Sequence, residues 1–134
     1  MTIAVNRWLA IVGGILVPGV ELLRRCEQLL DPSMLAFWMD DILLGGLLLY
    51  GAWRTRRDVE RGLPYLTAAW GFACGMGYGS FFGQLHDMQT QPVDVSGVSA
   101  ALVFTIKGIA LVVGVIALIT ALRWTPSRAS THAS

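Results

Sequence analysis

Apolar segments recur along the chain at Ile3 to Leu23, Leu35 to Trp53, Leu63 to Leu85 and Val98 to Leu122, each bounded by charges, proline or a polar loop. A helix needs about 20 apolar residues to cross a bilayer, so the pattern predicts an all-α membrane protein, a four-transmembrane-helix bundle. Two of the spans are interrupted. The first carries Pro18 and Glu21, and the second contains Asp40 and Asp41, so either, taken alone, also fits a re-entrant or interfacial helix.

Within the segments, residues of one kind share helical faces. Gly71, Gly75, Gly79 and Gly83 repeat every fourth residue in the third, a glycine zipper that lets another backbone approach closely. That neighbour belongs either to the same chain or to a second copy. Trp70, Tyr78 and Phe82 form the aromatic flank, which meets lipid or a bulky partner. In the fourth, Ala100, Val103, Lys107, Ala110, Gly114, Ala117 and Ala121 follow a 3,4 spacing, which puts Lys107 on the small-residue stripe and leaves Leu102, Ile106, Ile109 and Ile116 to lipid. In the second, Asp41, Gly45 and Ala52 share a face, making Asp41 a better interior candidate than Asp40.

Composition agrees. The 134 residues are 54% hydrophobic and 14% charged, with a mean hydropathy of +0.59, more apolar than an ordinary soluble domain of this length. One membrane domain, residues 1–124, and a short disordered cytoplasmic tail, residues 125–134, are expected. With four crossings, Arg7, Arg54, Arg56, Arg57, Arg61, Arg123 and Arg128 fall on one side and only Arg24 and Arg25 on the other. The positive-inside rule then places both termini and the Arg54 to Arg61 loop in the cytoplasm of an inner-membrane, multi-pass protein. Val17, Pro18, Gly19 and Val20 offer no small-x-small cleavage site, so the first segment is read as an uncleaved helix rather than a signal peptide.

Charge inside the spans carries the candidate chemistry. An ammonium near the bilayer centre costs roughly 2.5–3.5 kcal/mol, so Lys107 must face protein or water. Counting about 1.5 Å per residue from each inner interface puts Glu21, Asp40, Asp41, Tyr78 and Lys107 at a common depth of about 18–22 Å, with Arg24 about one turn above Glu21. Two readings follow. In the first, Lys107 pairs with Asp41 or Asp40 and Glu21 with Arg24 or Arg25, an ionic cluster in the outer half that locks helix register. In the second, acids beside low-dielectric walls bind protons, and an outer vestibule admits a small solute or cation.

Other chemistry is scarcely represented. His86 and Asp87 at the end of the third helix are weak metal candidates without diagnostic ligand spacing, and a solvated helix end explains them more simply. Cys26 and Cys74 fall at different depths, so no disulfide is expected from them. The chain has no P-loop, dinucleotide fingerprint or hydrolase motif, so no cofactor is expected and enzymatic activity ranks last. Asp58 and Glu60 interrupt the arginine-rich loop, which suits anionic lipid at Arg54, Arg56 and Arg57 and not nucleic acid.

Four short helices, Glu21 in the first and the run Phe81, Phe82, Gly83, Gln84 after the third resemble small multidrug resistance exporters. In that family the key glutamate lies early in the first helix and other internal charges are scarce. Here Glu21 comes late and is accompanied by Asp40, Asp41 and Lys107, so the likeness is one of analogy. The expected function is a membrane accessory or assembly protein, self-associating or part of a larger membrane complex. The alternative is a proton-coupled transporter using Glu21 and Asp41.

Overall fold

A computed structural model describes residues 1–24, 35–90, 93 and 97–124. They form four helices, α1 (Ile3–Arg24), α2 (Leu35–Arg57), α3 (Val59–Thr90) and α4 (Ala100–Leu122). Each apolar segment of the sequence becomes one helix. The arginine-rich stretch, expected as a loop, is helical except at Asp58. The turn can be this short because Asp58 serves both helices: its N–H donates to Arg54 O at 3.0 Å and its Oδ1 accepts the Arg61 N–H at 3.1 Å, capping the exposed donors that open α3. Cys26 and the tail from residue 125 lie outside the described residues.

Consecutive helices pack antiparallel, α1 on α2, α2 on α3 and α3 on α4, while α1 also touches α4. Glycines set the two tightest contacts. A Cβ on Gly45 would stand 2.6 Å from Gly14 O and 3.0 Å from Pro18 Cγ, and one on Gly14 would stand 2.9 Å from Leu49 Cγ. Proline at 18 supplies no N–H to the Gly14 carbonyl, and α2 lies against that carbonyl. In the α2–α3 hairpin, a Cβ on Gly51 would stand 2.8 Å from Leu66 Cα, and one on Gly62 would overlap the Thr55 backbone.

The core is small and alanine-rich. Ala10, Leu44, Leu48, Ala52, Leu66, Ala69, Trp70 and Ala117 form it, and α4 adds Ala100, Gly114 and Ala121 from its small-residue stripe. Large apolar side chains face out instead, among them Trp8, Ile15, Leu23, Ile106, Ile109 and Ile116. Small residues inside and branched ones outside are what a bundle surrounded by lipid requires, because backbones then approach closely while the outer faces meet hydrocarbon.

Among the described residues, two helices are long and apolar enough to cross a membrane, Ile3–Leu23 and Ala100–Leu122. The other two fall short for local reasons. Between Asp41 and Arg54, α2 offers only Ile42 to Trp53, about 18 Å of helix against a hydrocarbon core of about 30 Å. α3 is long enough, but its glycines and the Gln84, His86 and Asp87 end dilute its hydropathy.

Candidate functional site

At the end of the bundle where α2 turns into α3, one residue joins three helices. Asn6 of α1 is fully buried; its Nδ2 donates to Ala117 O of α4 at 2.7 Å, and its Oδ1 accepts the Trp70 indole N–H of α3 at 2.6 Å. Both halves of the amide are thereby satisfied, as burial demands. Sequence reasoning passed over Asn6. A usable signal was present in Asn6, Ala10 and Gly14, buried at four-residue spacing as the inward stripe of α1. Trp70, expected on an aromatic flank, is a core residue at 5% exposure.

Nearby, Thr55 is buried, and its Oγ1 donates to Gly51 O at 2.7 Å within α2. Arg7 Nη1 reaches Thr55 O at 3.4 Å. On the outer surface of the α2–α3 hairpin, Tyr50 lies 5.8 Å from Trp53 and 5.4 Å from Tyr65 between ring centroids. The Arg54 guanidinium sits 5.5 Å from the Tyr65 ring centre and that of Arg57 4.6 Å from the Trp53 ring centre, within cation–π range.

The groups expected at one outer depth do not form a buried charged cluster among the described residues. Asp40 is exposed, and Glu21, Asp41 and Lys107 are half-buried. Tyr78 is 59% exposed and packs tilted against Phe82, with ring centroids 4.6 Å apart. Arg24 closes α1, and its side chain lies outside what the structure describes, as does Arg25. None of Glu21, Asp41, Asp87 and Lys107 is without a partner. The acceptor seen for Lys107 is Gln84 Oε1, 3.0 Å from Nζ, and Gln84 is only 3% exposed. A neutral amide is thus one partner of the ammonium.

Intrachain packing by the α3 glycines is corrected most clearly. Among the described residues, no atom of a neighbouring helix comes within 4 Å of a Cβ built on Gly71, Gly75, Gly79 or Gly83. The whole row is open because α3 meets α2 and α4 through other faces, at Leu66, Ala69, Trp70 and Phe81. On the α4 side, Phe81 stacks on Phe104 at 4.5 Å beside a shallow apolar groove of about 400 Å³ that includes Gly108 and Val112.

His86 and Asp87 are exposed at the end of α3. Among the described residues, no three His, Cys, Asp or Glu side chains group closely enough to hold a metal ion. The chain matches no protein-family model, no curated protein and no solved structure.

Proposed function

We propose that the chain is a small inner-membrane protein with four spans and both termini in the cytoplasm. Its role is that of an accessory or assembly protein, which associates through the glycine face of α3. The observation that carries this reading is the open row Gly71, Gly75, Gly79 and Gly83. A glycine inside a helix costs roughly 0.5–1 kcal/mol relative to alanine, and no packing by the described residues offsets that cost along this row. Another helix backbone would. A second copy is the fitting partner, because a two-fold axis beside α3 sets the same ridge against itself.

Aromatic and basic side chains support the orientation. Trp8, Tyr50, Trp53 and Tyr65 are exposed at the end of the bundle that carries Arg7, Arg54, Arg56, Arg57, Arg61 and Arg123, the arrangement expected of a cytoplasmic interface. In this placement α2 enters the membrane covered by α1 and α3, so Asp40 and Asp41 mark its outer end. The transporter alternative, which uses Glu21 and Asp41, draws no support from a buried acidic layer, since both are only half-buried. Sedimentation equilibrium of the purified chain in a density-matched detergent tests the reading: a reversible dimer is expected, and a monomer at all protein-to-detergent ratios contradicts it.

A further inference from the structure

We propose that the outer surface of the α2–α3 hairpin is a binding site for the phosphate of an anionic phospholipid, formed by Arg54 and Arg57 on the ledge of Tyr50, Trp53 and Tyr65. The site rests on the proposed orientation, which sets this end of the bundle at the cytoplasmic head-group level.

Three observations converge on it. First, the aromatic rings touch one another and are exposed; tyrosine and tryptophan in that position sit at the boundary between acyl chains and head groups. Second, each guanidinium is held against a ring, Arg54 on Tyr65 and Arg57 on Trp53, which restrains two long side chains before any ligand arrives. Third, no carboxylate among the described residues pairs with either guanidinium. Asp58 is committed to Arg61, with its Oδ2 3.6 Å from Nε, and Arg54 Nε is enclosed without an acceptor among the described residues. An anion beside that guanidinium offsets the electrostatic deficit. The planar donor fork of arginine matches two phosphate oxygens at once, which a lysine ammonium cannot do. Arg56 shares the helix end but touches no ring, so it separates a built site from general charge.

The test uses the full chain in micelles containing equal amounts of phosphatidylglycerol and phosphatidylcholine, with retained lipids weighed by native mass spectrometry. Wild type is expected to retain phosphatidylglycerol preferentially. In the Arg54→Gln/Arg57→Gln variant that preference falls roughly tenfold, and in Arg56→Gln/Arg123→Gln, which removes the same charge from the same end, by less than about twofold. Absence of preference in wild type, or an equal fall in both variants, overturns the site. Excess inorganic phosphate leaves the retained lipid in place; displacement by it would assign the arginines to a free anion and overturn the lipid proposal. Should the first variant fail to fold, Tyr65→Leu replaces it and is expected to lower the preference about threefold; an unchanged preference overturns the ledge. Labelling of a cysteine at Arg123 with an impermeant maleimide keeps the two levels apart: reaction from the outside refutes the orientation itself, whereas cytoplasmic reaction without lipid preference refutes only the site.

Discussion

The Trp70 indole donates to Asn6 Oδ1 at 2.6 Å across 64 positions of sequence, the one side-chain to side-chain hydrogen bond described between α1 and α3. With the Asn6 amide also donating to Ala117 O, α1, α3 and α4 share a single polar joint.

Asn6→Leu should therefore leave the Trp70 N–H buried without an acceptor and lower stability by about 1–2 kcal/mol, between the average for bilayer hydrogen bonds and the upper range for buried groups. Trp70→Phe should cost a similar amount, and the double variant less than the sum. Denaturant unfolding in micelles measures the cycle. Strict additivity would mean that the two side chains do not meet.

Glycines in this chain should divide into two groups. Gly62→Ala and Gly51→Ala force α2 and α3 apart and should destabilise by about 1–3 kcal/mol, because the added Cβ meets backbone. Gly75→Ala and Gly79→Ala meet no other described residue and should leave monomer stability unchanged or raise it by up to about 1 kcal/mol. Thermal unfolding of the four variants in a dissociating detergent checks this, and similar losses in all four would contradict the open face.

Hydrophobic periodicity was enough to read four helices and most of the inward stripe of α4, since Ala100, Gly114, Ala117 and Ala121 are all buried. It could not say which glycines pack. The α3 row is the most regular in the sequence, yet the close approaches fall at Gly14, Gly45, Gly51 and Gly62, where spacing within any one helix is irregular. Those contacts are fixed by the crossing of two helices, which no single helix encodes. Asn6 was missed for a related reason: an amide beside Arg7 looks like an interfacial flank until α3 and α4 supply its partners. The Gln84 amide beside Lys107 depends on the register between α3 and α4, which no single helix encodes.

Gln84→Leu should remove the amide acceptor of Lys107 and cost roughly 1–2 kcal/mol. Gln84→Leu with Lys107→Met should recover part of that loss, since no ammonium then lacks the amide. The readout is again unfolding in micelles; a double variant less stable than the sum of the singles would show that the pair is not the contact that matters.

Membrane orientation is open to cysteine labelling with an impermeant maleimide. Cysteines at Asp58 and Arg123 should react only from the cytoplasmic side, and one at Gly97 only from the outside. Outside labelling at Arg123 would remove the basis for both the four-span reading and the lipid site.

The most direct measurement of the central claim is resonance energy transfer between donor- and acceptor-labelled copies in a lipid bilayer, as a function of protein-to-lipid ratio. Wild type should show transfer well above that of random mixing, and Gly75→Leu/Gly79→Leu should reduce it to the random level while helical content and unfolding temperature in a dissociating detergent stay those of wild type. Equal transfer in wild type and variant, or none above random in wild type, would contradict association through the glycine face of α3.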